Sequence, residues 1–295
     1  MRVTERVKFL SANKNLGRLQ GEQQKRMTQL SSGRRIQRLS DDPIASQKVT
    51  QIKKSAEKVD QYLRNIDFAK HPLEVADATL DESSQILYRL KELVIQGLQT
   101  TLTPQDRDHL ANEVIALRDQ MQSLANTQVN NQHLFGGFTT DTPPYDAAFT
   151  FVGDTNAREV QVSDSLRVKS ALAGGSVFGD GTIATVDVFD NINQMEVAIR
   201  AGIEVDMQTE FARLDNSIEQ VISGRNELGI HLERIEGAER VSDFYQERFA
   251  VMLSEQQDVD FAKAVSELQL LENALQVSMA TSGKMMQRSS LLDFI

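Results

Sequence analysis

The chain has 295 residues, 40% of them hydrophobic and 25% charged, with a net charge of −10, 4 Tyr, 5 Pro, no Trp and no Cys. Without cysteine there can be no disulfide, thiolate metal site or cysteine nucleophile, and no apolar run approaches the roughly 20 residues that a membrane-spanning helix needs. The first residues, MRVTERVKFLSANKNLG, lack an apolar core segment, so a Sec-type signal peptide is not expected and any export would use another route.

Charge is unevenly spread. Residues 1–40 hold ten Lys or Arg and two acids, a net +8, which leaves −18 on the remainder. A basic arm can serve nucleic acid, an anionic membrane, or a helix placed beside acidic neighbours in an assembly. The arm has one aromatic, Phe9, and no basic recognition fold around it, which argues against nucleic acid. The acidic bulk argues against a general polyanion binder.

Residues 1–30 carry a thin apolar stripe, Val3, Val7, Leu10, Leu16, Leu19 and Leu30, diluted by Gln, Lys and Asn. A helix of this quality is marginal alone in water, so it is expected to become ordered against the other terminus or neighbouring subunits. From Pro43 to about Gln99, Ile52, Val59, Ile66, Leu73, Leu80, Leu87 and Val94 recur every seven residues, and Ala56, Leu63, Ala69, Ala76 and Leu90 thicken the stripe. That 3.5 period marks the seam of a coiled coil or bundle, in a helix roughly 85 Å long if continuous. Pro72 interrupts it and predicts a kink, or a break at His71. A further helix is expected from Thr103, with Thr103 as cap, Pro104 in the first turn and a stripe of Leu110, Val114, Leu117, Met121 and Leu124.

After Asn126 the texture changes. NTQVNNQHLFGGFTTDTPPYD is rich in turn formers, and AFTFVGD, REVQVSD and SLRVKS then alternate like strands, with glycines at 174, 175, 179 and 181. Helix returns from about Ile192. Phe211, Leu214, Ile218, Val221, Leu228, Leu232 and Ile235 keep 3–4 spacing, broken by Arg225 at one seam position, and the stripe continues through Phe244 and Val251. Phe261, Val265, Leu268, Leu271, Leu275 and Met279 make a last amphipathic segment that ends in SSLLDFI.

The expected fold is therefore mainly α: a long-helix, coiled-coil-like bundle formed by the N- and C-terminal halves, with a small β-rich insert. Three parts follow: terminal helices 1–42 with 260–295 as a coiled-coil inner domain, a helical bundle 43–137 with 192–259, and an outer β-rich domain 138–191.

Catalytic chemistry finds no support. His71, His109, His133 and His231 have no helical pairing with acids at metal-ligand spacing and read as surface histidines. GGSVFGDG (174–181) lacks the Lys-Ser or Lys-Thr of a phosphate loop and reads as a β-turn. Nothing assembles a nucleophile with a base. No catalytic residue, metal site or cofactor is expected, and neither a nucleic acid nor a membrane as partner.

LSSGRRIQRLSDDP, residues 30–43, places three arginines before two aspartates and a proline. Gly33 can end the first helix in the left-handed conformation. Arg34 and Arg35 then follow a helix C-terminus, where positive charge is favoured by roughly 0.3–1 kcal/mol each. Ser40, Asp41 and Asp42 offer N-caps, and Pro43 can open the next helix. The stretch reads as a joint whose spare arginines can pair across a subunit boundary.

At these residues the chain resembles the bacterial flagellin superfamily. LSSG-R-RI followed by SDDP is similar to its N-terminal signature; NIDFA (65–69), residues 89–114, LFGG (134–137) and SGRNELGIHLERIE (223–236) match the pattern that follows. The resemblance spans about 1–137 and 192–295 and leaves out the insert. The MRVT start, SDDP-I-A and the SLLDFI end favour the hook–filament junction branch over filament flagellin. The resemblance implies a structural, non-enzymatic protein that is exported through the flagellar type III channel, helped by a cytoplasmic chaperone, to the extracellular flagellum. It implies a ring or helical self-assembly there, between the first hook-associated protein on the hook side and flagellin or other filament-side subunits. By the same resemblance Leu30, Gly33, Arg34, Arg35, Ile36, Asp41, Asp42 and Pro43 belong to a subunit-interface joint, and Leu291, Leu292 and Phe294 to an inner layer. Two alternatives stand beside it: filament flagellin itself, and a coiled-coil adaptor that binds nucleic acid or membrane through the +8 arm.

Overall fold

The computed structural model describes residues 2–99, 102–179 and 186–292. Among them the helices are α1 (Arg2–Ser32), α2 (Pro43–Gly97), α3 (Pro104–Ala125), the single turn α4 (Gly174–Val177), α5 (Val188–Ala201), α6 (Glu204–Gln257) and α7 (Phe261–Leu292). The strands are four short ones in two antiparallel pairs, β1 (Gln128–Val129) with β2 (Gln132–His133) and β3 (Glu159–Gln161) with β4 (Arg167–Lys169). The fold is mainly α with a small β part, as the periodicities require.

The chain forms two compact units, residues 1–57 with 245–295 and residues 58–244. Their boundaries fall inside α2 and α6.

In the unit of residues 58–244 the seam of α2 meets α3, α5 and α6. Ile66, Leu73, Leu80, Leu87 and Val94 are all fully buried and share one core with Val114, Met121, Ile192, Leu214, Val221, Leu228 and Ile235. The two helical halves thus bury their stripes against each other. Arg225, the misfit in the α6 stripe, reaches across to α2, where its Nε lies 2.9 Å from Asp77 Oδ1 and its guanidinium also pairs with Asp81. Those two carboxylates hold its pKa above the usual arginine value. Lys70 of α2 likewise pairs with Glu239 of α6 at 2.8 Å.

α2 does not break at His71. It runs through Pro72 as helix, although proline cannot donate to the Phe68 carbonyl and crowds the preceding turn. Ala69, Leu73 and Ala76 on the same turns are 0–2% exposed, and their burial offsets that cost. Thr103 caps α3 as expected: its hydroxyl accepts from the Asp106 amide at 3.2 Å, and the Asp106 carboxylate accepts in return from the Thr103 amide at 3.1 Å. The Thr103 hydroxyl also donates to that carboxylate at 2.7 Å, and this bond first, followed by the one from the Thr103 amide, holds the Asp106 pKa below the usual carboxylate range.

The insert is less regular than its alternation suggested. REVQVSD and SLRVKS contain β3 and β4, but AFTFVGD contains no strand of its own. There the Asp146 carboxylate accepts from the amides of Ala148 (2.9 Å) and Thr150 (2.8 Å), and Phe149 takes a φ of +64°. The side chain closes a turn that competes with extended pairing. GGSV forms one helical turn in place of the expected β-turn, and the Gly174 amide donates to the Phe135 carbonyl at 2.8 Å. A Cβ at Gly174 would stand 3.0 Å from that oxygen, so a larger residue would have to push the Phe135 backbone aside by a few tenths of an ångström. Aromatic rings complete the insert: Phe151, Phe178 and Phe189 surround Tyr145, whose hydroxyl donates to the Gly179 carbonyl at 2.8 Å, and Phe135 packs edge-on against Phe178. These rings belong to the same core as the bundle helices.

Candidate subunit-interface site

The joint between α1 and α2 lies in the unit of residues 1–57 and 245–295. α1 ends at Ser32, and Gly33 takes φ +68°, the left-handed conformation that releases the chain from the helix. The released chain pairs briefly with the α6–α7 connection. The Gly33 carbonyl accepts from the Val259 amide (2.9 Å), the Arg35 amide donates to the Gln257 carbonyl (2.7 Å), and Arg34 and Asp258 form an antiparallel bridge. Ile36 is buried, 6% exposed, and the buried Gln29 side chain donates to the Arg35 carbonyl at 2.7 Å.

The two aspartates divide the work. Asp42 caps α2, since its carboxylate accepts from the Ala45 amide at 3.0 Å, and Pro43 occupies the first turn where a missing N–H costs nothing. Asp41 closes the loop instead. One oxygen lies 2.9 Å from Lys25 Nζ of α1, and the other accepts from the amides of Gln37 (3.2 Å) and Arg38 (3.0 Å). The Lys25 bond, followed by the two amides, lowers the Asp41 pKa to about 2. Asp42 is lowered too, by the Ala45 amide first and then by Arg35.

The arginines separate in the same way. Arg35 donates to the Gln256 carbonyl at 3.0 Å and lies 3.4 Å from Asp42, so it is spent within the chain. The side chains of Arg34 and Arg38 are exposed and meet no carboxylate among the described residues. Leu39 and Ile44 beside them are 75% and 73% exposed. Of the residues singled out from sequence, Gly33, Arg34, Arg35, Ile36, Asp41, Asp42 and Pro43 therefore gather in one joint, with the half-buried Leu30 on the last turns of α1. Leu291 and Leu292 end α7, and Phe294 lies outside the described residues. Sequence reasoning missed Lys25, Gln29, Gln256 and Gln257, ordinary polar residues whose role depends on which chain segments meet.

α1 packs along α7. Ala264 and Leu275 of α7 are buried, and Arg26 pairs with Glu267 at 2.8 Å. α7 also carries apolar side chains that α1 leaves uncovered: Phe261, Leu270, Val277 and Met279 are 57%, 65%, 64% and 50% exposed, among exposed polar residues such as Gln269, Glu272 and Asn273.

No group of three or more His, Cys, Asp or Glu among the described residues could hold a metal ion. The histidines are not all at the surface. His133 is 4% exposed, with Nδ1 2.9 Å from the Asn126 carbonyl, and His231 is 8% exposed, where burial lowers its pKa. Both fill core positions in the unit of residues 58–244, which single-residue spacing could not reveal.

Comparison with known proteins agrees with this architecture. Residues 3–140 match the family described as bacterial flagellin N-terminal helical region. The chain is 25% identical to the flagellar hook-associated protein 3 of Escherichia coli K12, over 94% of this chain and 95% of that one. It is 27% identical to a flagellin of Bacillus subtilis 168, over 97% and 98%. Among solved structures, a flagellar hook-associated protein from Vibrio parahaemolyticus superposes with a TM-score of 0.68 at 21% identity, covering 74% of this chain and all of that one. The flagellar hook-associated protein 3 of Legionella pneumophila superposes with a TM-score of 0.63 at 17% identity, covering 70% and 98%. The N-terminal motifs, the helical bundle closed by both halves of the chain and the glycine-ended joint agree with that likeness: residues 3–140 match the N-terminal helical region of bacterial flagellins, and nearly the whole chain is similar to flagellar hook-associated protein 3 and to flagellin.

Proposed function

We propose that this protein is the structural subunit that joins the flagellar hook to the filament, working through helical packing between copies and not through catalysis. The observation that carries this reading is the surface of α7. One side is buried on α1 while Leu270, Val277 and Met279 stay 50–65% exposed on others, so the terminal helices require further copies of the same layer to be covered. The terminal helices 1–42 and 260–295 form the inner layer of the assembly, residues 43–137 with 192–259 the bundle around it, and 138–191 its outer surface. Leu30, Gly33, Arg34, Arg35, Ile36, Asp41, Asp42 and Pro43 form the interface joint, and Leu291, Leu292 and Phe294 pack in the inner layer. Arg34 and Arg38 are the joint cations left to face a neighbour. The first hook-associated protein lies on one side of the ring, and flagellin or other filament-side subunits on the other. Subunits reach that extracellular position through the flagellar type III channel, with a chaperone on the C-terminal helix.

A clean deletion, read by electron microscopy and by a blot of the medium for flagellin, tests this. Hooks without filaments and flagellin shed into the medium are expected. The similarity to Bacillus subtilis flagellin over nearly the whole chain supports a second reading, the filament subunit. In that case bare hooks would be seen with the flagellin signal itself missing. Normal filaments would refute both readings.

A further inference from the structure

Two exposed patches on different units have complementary chemistry. The first lies at the start of α2, in the unit of residues 1–57 and 245–295. Leu39, Pro43, Gln47, Thr50, Gln51 and Lys54 line an open groove of about 540 Å³. Leu39 and Ile44 are 75% and 73% exposed, more than any other large hydrophobic residue described. The cations around them, Arg38, Lys48 and Lys54, meet no carboxylate among the described residues. The second patch is the turn that opens α6. Gly202 takes φ +70° and ends α5, and Ile203, Glu204, Val205 and Asp206 follow, with Ile203 47% and Val205 70% exposed. The Asp206 side chain is exposed and meets no cation among the described residues. The cations nearest this turn are engaged elsewhere, Arg200 with Glu196 (2.6 Å) and Asp108 (3.0 Å), and Arg107 with the Leu102 carbonyl.

Acids in the first turn of a helix need no partner to explain them. Two exposed β-branched residues alternating with them do. The charge of the whole chain points the same way. Residues 1–57 and 245–295 hold 17 Lys or Arg against 12 acids, whereas residues 58–244 hold 15 against 30. Like units of two copies therefore repel, and unlike units attract.

We infer that the Gly202–Asp206 turn of one copy docks into the Leu39–Lys54 groove of a second copy. Ile203 and Val205 cover Leu39 and Ile44, and Glu204 and Asp206 face Arg38, Lys48 and Lys54. Because the two patches differ, the contact is heterologous and repeats from copy to copy, which a symmetric contact cannot do. The inference rests on the self-assembly proposed above and names the surfaces used.

The absence of native cysteine makes the test clean. Full-length Leu39→Cys and Val205→Cys chains are expressed together in cells that assemble flagella, and the isolated flagella are treated with a short bismaleimide. A link between the two variants is expected, absent when either is expressed alone, and reduced about tenfold when the Leu39→Cys chain also carries Arg38→Glu and Lys54→Glu. No link, a link between like variants, or a link to a hook or filament subunit would overturn the inference. Leu270→Cys on α7 serves as the control. If it links copy to copy while positions 39 and 205 do not, the docking falls and the self-assembly stands. If α7 fails as well, the self-assembly falls with it.

Discussion

Pro72 offers a measurable test of how α2 is held together. In a helix interior proline costs about 3 kcal/mol relative to alanine, because it removes one backbone donor and crowds the preceding turn. Pro72→Ala would give the Phe68 carbonyl the amide it lacks. The substitution also removes part of a half-buried ring that walls a cavity of about 110 Å³ with Phe68, Val129 and Arg158, a loss of about 1 kcal/mol at roughly 0.8 kcal/mol per buried methylene. The net expectation is a gain of about 2 kcal/mol, which for a unit the size of residues 58–244 raises Tm by about 4–8 °C. Thermal unfolding followed by circular dichroism at the helical band measures the shift, and hydrogen exchange checks that the amide introduced by Pro72→Ala is protected. An unchanged or lower Tm, with that new amide exchanging freely, would refute the account of α2 as a helix held through Pro72 by the burial of Ala69 and Leu73.

Acid should open the joint in a defined window. Asp41 titrates at about 2 instead of its ordinary 3.8. A carboxylate lowered in the folded state stabilises the fold above its unfolded pKa, and that contribution is lost as pH falls through the folded value. NMR shifts of the Gln37 and Arg38 amides should therefore move with a midpoint near 2 and lose that step in Asp41→Asn; a midpoint near 4 would show that Asp41 is not bonded as described. Tyr145→Phe removes a buried hydroxyl from the Gly179 carbonyl and should cost about 1–3 kcal/mol in urea unfolding, whereas no loss would mean that the carbonyl finds another donor. Arg225 and Asp77 are partly exposed, so a double-mutant cycle to alanine should return a coupling of only about 0.5–1 kcal/mol. A coupling above about 2 kcal/mol would mean that the pair acts as a buried lock.

The helical architecture was legible in the sequence because burial repeats with the helix. All seven residues of the heptad from Ile52 to Val94 are buried, and Thr103-Pro104 with Asp106 spells out its own cap within one turn. Gly33 and Pro43 could be placed for the same reason: left-handed backbone and a missing N–H are properties of single residues, readable without neighbours. The insert was less legible. Alternation over a few residues predicts a strand only if a partner strand is available, and at 148–154 the Asp146 carboxylate took the amides first.

Tertiary structure alone decided the rest. Nothing in LSSGRRIQRLSDDP says that Arg35 turns inward to the Gln256 carbonyl while Arg34 and Arg38 remain outside, because the choice depends on the connection some 220 residues later that lies beside it. The survival of α2 through Pro72 was settled in the same way, since a local rule that costs about 3 kcal/mol yields when several fully buried side chains on adjacent turns each contribute about 1.5–3 kcal/mol. Local geometry is written in neighbouring residues. Which charges are satisfied and which are left for a partner depends on contacts between distant ones.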